Sequence, residues 1–380
     1  MGLEARKAEY RWLQDMQVKK IAVLRCNAIG DFIFSLPALD ALRAAYPEAE
    51  VVYLGQRWHA EFLKDRPGPI DRVVVVPPSR GVALPDDAEI EEDRQELEPF
   101  FAQMRAEEFD IAIQMHGGGR YSNPFIKELG ARLTAGLRTA ESAMLDRWVP
   151  YRFYQHEILR YLELVSILGA SPVGLEPRIF VTEADLKESY RLVPEDDQPF
   201  VVLHPGAGDP RRRWPAGNFA ELGRRLSEAG QKTIVTGTGS ECHLVDVVLA
   251  GAGDAAQNLC GKISISGLAG LLSRASVVVS NDSGPLHLAG AVGSATVGIY
   301  WCGNMITAGP ITQTRHRALV SWQIHCPVCG SNITRQNCNH SDSFVSEVSI
   351  DEVSKQVFEL LGAHPSPVRA DLQKPGWENL

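Results

Sequence analysis

The sequence predicts an α/β protein built from two open parallel-sheet domains, on three observations. Short β-branched runs alternate with helical patterns, the signature of parallel βαβ units. The alternation weakens midway and then restarts. At 380 residues the chain exceeds what one ordinary hydrophobic core organises, so two domains are expected.

In the first half the pattern reads as strand Lys20–Arg25, helix Leu36–Ala45, strand Val51–Leu54 and strand Arg72–Val76. A charged helix, Ala88–Glu107, and strand Asp110–Gln114 follow. The signal fades around Ala131–Leu137, and a helix over Gln155–Leu168 closes the half. Ser171–Gln198 is richer in Pro, Glu and Asp, a composition suited to a linker. The second half reads as strand Phe200–His204, helix Asn218–Ala229, strand Lys232–Thr236 and helix Glu241–Ala250. Helix Ser266–Ser273, strand Ser276–Ser280, helix Gly284–Val292 and strand Ala295–Tyr300 come next, then an amphipathic helix over Asp351–Leu361. The expected organisation is residues 1–180 as one domain, 195–350 as the second with a Cys-rich segment at 326–340, and 351–380 as a helix and loosely held tail. Two such domains facing each other leave a cleft at the carboxyl ends of their strands, where ligands bind in open α/β folds.

A net charge of −9 argues against nucleic acid as a partner, since its binders carry a basic footprint. No window approaches the roughly 20 apolar residues of a membrane helix, and the charged N-terminus does not resemble a secretory signal. A cytoplasmic protein with mostly reduced cysteines is expected. Cys26, Cys242 and Cys260 sit beside apolar runs as small core residues, while Cys302, Cys326, Cys329 and Cys338 cluster near the C-terminus.

Three loops carry candidate chemistry. Asn27–Asp31 follows the first strand, and Gly30 offers backbone freedom there. Pro37 suits a first helical turn, which puts the helix start near Ser35 or Leu36 and Asp31 ahead of it. Asp31 is then either a loop or capping carboxylate, or a base that accepts a proton from an attacking hydroxyl. In the second half, Asn281–Ser283 separates a buried strand from a helix. With Asp282 or Ser283 as cap, the N–H groups of Gly284, Leu286 and His287 form a generic anion site at the helix N-terminus. His287 either donates to a phosphate or is structural, and Asp282, which would repel an anion, caps the helix or orients a donor. The third loop, HPGAGDPRRRWP, brings Arg211, Arg212 and Arg213 after another strand, either as phosphate ligands or as a solvated basic loop. Neither P-loop spacing nor a full G-x-G-x-x-G is present, since Cys242 stands at the last glycine of the stretch from Gly237. Glu241 accepts from a ribose or caps a helix.

In order and spacing, R-x-x-x-I-G-D-x-x-x-S-L-P-A-L, FDIAIQMHGGGRYSN, HPGAG…RRRWP and NDSGPLHLAGAVG resemble glycosyltransferase family 9, the ADP-heptose:lipopolysaccharide heptosyltransferases and relatives, from about Ile21 to Tyr300. The resemblance implies a GT-B fold of two facing Rossmann-like domains, with acceptor on the first and nucleotide sugar on the second. It implies Asp31 as catalytic base in an inverting transfer that needs no metal. It assigns the donor to Arg212 (where the family usually has Lys), Glu241, Asp282, Ser283, Gly284 and His287, beside which Arg213 and Gly237 are further expected donor-binding residues. Asn27, Gly30, His116, Gly117 and Arg120 are the expected acceptor side. The implied partners are a nucleotide sugar, with ADP-heptose foremost, and a saccharide-lipid or protein hydroxyl, with at most peripheral contact at the inner membrane face. The competing readings are a non-catalytic nucleotide-sugar-binding protein and a sugar-nucleotide epimerase of related fold.

The segment HCPVCGSNITRQNCNHS pairs C-x2-C with Cys338 and His340. It is either a structural zinc or iron site on Cys326, Cys329, Cys338 and His340, or reduced cysteines under a loop. His325 and Cys302 are alternative fourth ligands, and some autotransporter-modifying heptosyltransferases carry a cysteine-bound iron finger in the corresponding region.

Overall fold

The apolar runs do form parallel strands, and a computed structural model arranges them in two six-stranded sheets. It describes residues 17–86, 94–195, 198–253, 256–336 and 338–363. The chain divides into two compact units, Met1–Pro177 and Arg178–Leu380. The first sheet contains β1 (Lys20–Leu24), β2 (Glu50–Gly55), β3 (Arg72–Val75), β4 (Ile111–Gln114), β5 (Leu133–Arg138) and β6 (Arg147–Pro150), ordered β3-β2-β1-β4-β5-β6. The second contains β7 (Phe200–His204), β8 (Lys232–Val235), β9 (Ala256–Asn258), β10 (Val277–Asn281), β11 (Ala295–Trp301) and β12 (His316–Ser321), ordered β12-β11-β10-β7-β8-β9. Every pairing is parallel, with Ala22 opposite Val52 and Ala112 in one sheet, and Val278 opposite Val202 and Thr296 in the other. Counted within its own unit, each sheet has the same order, so each reverses its winding once: between β1 and β4, and between β7 and β10.

The helices of the first unit are α1 (Ile29–Ala45), α2 (Arg57–Leu63), α3 (Arg94–Ala106), α4 (Ser122–Lys127) and α5 (Glu157–Ser166). Those of the second are α6 (Glu183–Leu192), α7 (Ala216–Glu228), α8 (Cys242–Ala252), α9 (Ile265–Arg274), α10 (Gly284–Ala291), α11 (Cys302–Ala308) and α12 (Ile350–Ala363). The central strands β1, β4, β7 and β10 are buried along nearly their whole length, as both faces of a helix-covered parallel sheet require.

Four expectations are corrected here. Helix α1 starts at Ile29, so Asp31 lies in its first turn and Gly30 inside it. Pro37 sits in the helix interior, where burial of Phe32, Ile33, Phe34, Leu36 and Leu39 outweighs the hydrogen bond that proline removes. The fading stretch around Ala131–Leu137 is strand β5. The presumed linker contains α6, closed by a Thr182–Asp185 capping box. That helix docks on α9: Glu188 accepts from Ser264 N at 2.9 Å, and Arg274 donates to Ser189 Oγ at 2.7 Å. Cys242 and Cys260 are not separate core thiols but a disulfide joining the start of α8 to the segment after β9. The first residues of the helix expected from Ala88, and the tail beyond Ala363, lie outside the described residues. Among the described residues no helix is long and apolar enough to cross a membrane.

One residue pins the end of the second unit. Trp214, 1 % exposed, meets Phe219 edge-on and donates its indole N–H to Val348 O at 2.9 Å, just ahead of α12. Val353, Val357 and Leu360 of that helix complete the same core. Trp214→Phe keeps the apolar bulk but strands the buried carbonyl, so a loss of about 1–3 kcal/mol is expected. A urea midpoint equal to that of the unaltered chain would show that the bond contributes nothing.

Candidate active site

In the first unit, the loops after β1 and β4 separate at the point where the winding reverses. Arg25, directly after β1 and 3 % exposed, spans the gap. It donates to Asp31 Oδ1 at 2.7 Å, to Asp31 O at 3.0 Å and to Met115 O beyond β4. Asp31 is thereby held at the N-terminus of α1, where the helix dipole also favours a carboxylate. Among the described residues no donor bonds Asp31 Oδ2, and its side chain is 38 % exposed. Burial opposes the Arg25 charge, and the oxygens of Tyr161, Asp31 and Glu157 outweigh it.

Beside this pair a cavity of about 700 Å³ opens between the same loops. Its walls include Asn27, Gln56, Trp58, His116, Gly117 and Arg120, but not Gly30 or Asp31. Left-handed backbone occurs at Gly117 and Gly119, with φ of 61° and 92°, which lets the β4 loop fold back on itself. Asn27 Oδ1 is buried there with no partner among the described residues, the state of a group that a ligand donor satisfies. Burial pushes His116 down to about 4, with the Arg25 charge adding to the effect, so its ring is neutral. Behind the cavity, His59 stacks on Trp58 at 3.6 Å and accepts from Gln56 N at 3.0 Å.

In the second unit the equivalent gap is occupied by Asp282. It is 2 % exposed and accepts from Arg212 at 2.9 Å on one oxygen and from His287 Nε2 at 3.0 Å on the other. Burial works against its charge, yet His287 and Arg212 hold its carboxyl below the usual carboxylate range. The three arginines diverge, as adjacent residues must. Arg211 pairs with Asp209, Arg212 with Asp282, and Arg213 donates to Ala207 O at 2.9 Å. The expected cap is absent: Ser283 occupies the N-cap position of α10 without a side-chain bond, and its hydroxyl meets Ser280 Oγ at 3.0 Å. The N–H groups of Leu286 and His287 are bonded to Ser283 O. The anion site is therefore narrower than the sequence suggested, and Gly284 N is its open donor among the expected residues. Asn281, which sequence alone left unassigned, joins the two loops by accepting from Trp214 N and donating to Pro205 O, both at 2.8 Å.

Glu241 adopts the capping arrangement, accepting from Thr238 N at 2.8 Å and Thr238 Oγ1 at 2.9 Å. It lies so close under Gly206 that a Cβ there would meet its Oε1 at 2.1 Å, so a side chain at that loop position would displace the Glu241 carboxylate. Gly237 is also tight, with Val245 at 2.9 Å from a built Cβ. In the C-terminal segment the donor atoms of Cys326, Cys329, Cys338 and His340 lie within 4.8 Å of one another. A tetrahedral site with Zn–S bonds of about 2.3 Å has donors roughly 3.8 Å apart, so a small contraction suffices and three thiols with one imidazole suit zinc or iron. His340, rather than His325 or Cys302, completes this group.

A family model described as glycosyltransferase family 9 (heptosyltransferase) matches residues 99–338, more than half of the chain. The chain belongs to this family. It is a glycosyltransferase. Lipopolysaccharide heptosyltransferase 2 of Escherichia coli is 23 % identical over 74 % of this chain and 82 % of its own length. A family 9 glycosyltransferase of Veillonella parvula superposes with a TM-score of 0.75 and 22 % identity, covering 91 % of this chain and 98 % of its own. E. coli ADP-heptose lipopolysaccharide heptosyltransferase II gives 0.70 and 17 %, covering 92 % and 100 %. The iron-containing glycosyltransferase TibC of enterotoxigenic E. coli is more distant, at 0.53 and 12 %, covering 91 % and 77 %. These likenesses establish the fold as GT-B.

The histidines at and behind the cavity, His116 and His59, give the first unit a pH-dependent stability. Burial pushes His59 down to about 3, whereas an unfolded chain protonates it near 6.5. A lowered folded value means that stability is complete above 6.5 and is lost as pH falls, because only the unfolded state takes up the proton. His116, pushed down to about 4, acts over most of the same window. Between pH 6.5 and 4 the first unit should lose up to about 1.4 kcal/mol per pH unit per histidine. His59→Asn keeps an acceptor for Gln56 N and should flatten the dependence. Urea midpoints at pH 7.5 and 5 that fall equally in both proteins would contradict this assignment.

Proposed function

We propose that this glycosyltransferase moves heptose from ADP-heptose to a hydroxyl of a saccharide-lipid or protein acceptor, with inversion and without a catalytic metal. The observation that carries the reading is Asp31, gripped at one oxygen by Arg25 while Oδ2 meets no donor among the described residues. A carboxylate with one bound and one open oxygen is suited to accept a proton. Donor identity leans on the relatives, one of which is named for ADP-heptose and two for lipopolysaccharide.

In this mechanism the acceptor O–H proton passes to Asp31 as the hydroxyl oxygen bonds the anomeric carbon. The bond from that carbon to the diphosphate breaks, its electron pair leaves with ADP, and the sugar passes through an oxocarbenium-like state. Arg212, Arg213, His287 and the N–H of Gly284 face the charge growing on the diphosphate, and Asp282 keeps Arg212 and His287 aligned. Ser283, Gly237 and Glu241 shape the nucleoside end of the site. Asn27, His116, Gly117 and Arg120 form the acceptor cavity, and a saccharide-lipid acceptor would bring the enzyme to the inner membrane face as a peripheral protein. Asp31→Asn should leave the Kd for ADP-heptose unchanged and cut transfer about 10²–10⁴-fold. Full transfer by that variant would overturn the base assignment.

Cys326, Cys329, Cys338 and His340 would hold one structural zinc or iron, tying the 326–340 segment together by metal–thiolate bonds. The iron in TibC supports this reading. Elemental analysis of untagged protein should find close to one metal per chain, with loss in Cys338→Ser. A content far below stoichiometric in the unaltered protein would rule the site out.

A further inference from the structure

Behind Asp31 the first unit buries a row of charged side chains. Arg25 lies 3.7 Å from Glu157 Oε2 and 4.9 Å from the ring centre of Tyr161, both on α5. Glu157 in turn accepts from the Tyr161 hydroxyl on Oε2 and from Arg160 on Oε1. Arg160 is 1 % exposed, donates to the carbonyls of Arg152 and Gln155 at 2.5 and 3.2 Å, and stands 4.3 Å from the ring centre of Tyr151. The result is an alternating row of carboxylate, guanidinium, carboxylate and guanidinium, with Asp31 at its most exposed end.

Removing such groups from water is costly, and apolar residues of similar volume often stabilise a fold as well as a buried ion pair does. What the row supplies that apolar packing would not is direction. Three separate donors of one guanidinium fix Asp31 Oδ1, Asp31 O and Met115 O together. This locks the carboxylate to both strands at the winding reversal and leaves Oδ2 without a donor among the described residues.

We propose that Arg25 and Glu157 are positioning residues for Asp31, with Arg25 clamping Oδ1 so that Oδ2 is presented to the acceptor hydroxyl and Glu157 clamping Arg25 from behind. The proposal rests on Asp31 being the base. Glu157 holds the guanidinium from the far side, so that its fork keeps one direction relative to Asp31 Oδ1.

Among the described residues the other ionisable groups around the pair are His116 after β4, His59 on α2, Tyr53 on β2, Cys26 beside Arg25, and Tyr161. Burial keeps His116 neutral above about 4 and lifts Tyr53, Tyr161 and Cys26 above their ordinary values. None of them changes charge between pH 5 and 8.

The test is the pH dependence of kcat/KM for sugar transfer by the full chain. Arg25→Gln should lower kcat at least tenfold and move the acid limb up by about 1–3 pH units, the effect of removing an adjacent arginine from an aspartate. Glu157→Gln, nearly isosteric, should move the same limb down, with donor KM unchanged in both. Arg25→Lys retains the charge without the fork and should leave the limb near its normal place while kcat stays low. Repeating the profiles in a His116→Gln background separates that ring, which Arg25 also influences. A purely structural role would reduce the yield of folded protein without shifting the limb. If Arg25→Gln does not fold, the downward shift in Glu157→Gln carries the test. An unmoved limb in Glu157→Gln, or shifts of the same sign in both variants, overturns the proposal. Asp31→Asn separates the two ideas: an inactive variant with unmoved limbs in the others leaves the base standing without its positioners, and an active one removes both.

Discussion

Parallel strand pairing about β1 and β10 is the constraint on which the rest of the molecule depends. A parallel sheet sends every strand-to-helix loop out at one edge, and loops part where the winding reverses. In the first unit that point lies between β1 and β4, and in the second between β7 and β10. Asp31, in the first turn of α1, and His116, in the loop after β4, flank the first reversal, and Arg212 and Asp282 lie in the two connections at the second. Residues far apart in sequence thus meet because strand order leaves room for them at only one place in each unit.

Both places use one electrostatic device in opposite senses. In the first, the cation is buried and the acid is partly open, with side-chain exposures of 4 % for Arg25 and 38 % for Asp31. In the second, the acid is buried and the cation partly open, at 3 % for Asp282 and 29 % for Arg212. A buried charge must be paired, so the hidden member of each pair fixes the geometry of the accessible one. The accessible member is then the one suited to the proposed chemistry, an acid where a proton is to be accepted and a cation where negative charge is to grow.

Rigid support follows the same logic. Asn281 ties the arginine loop to the loop before α10, Trp214 continues that tie to the last helix, and Glu241 fills the space that Gly206 leaves open. These contacts leave the loop backbones few alternative conformations, which is what a preorganised charge site needs.

Alternation of β-branched and helical segments, the motifs after β1, β4, β7 and β10, and the Cys-rich segment were legible in the sequence because each is a local pattern. So was the family, from the order of those motifs. The start of α1 was not, because Pro37 mimics a helix start and only the burial of Phe32–Leu36 outweighs it. Helix α6 hid in a polar stretch whose docking surface, α9, lies far along the chain. The Cys242–Cys260 bond, the choice of His340 over His325 and Cys302, and the grip of Arg25 on Asp31 depend on distances between separate elements. Residue type and spacing set which chemistry is available. Only tertiary packing decides which polar atoms lose water, and therefore which must find partners and which are left open to a substrate.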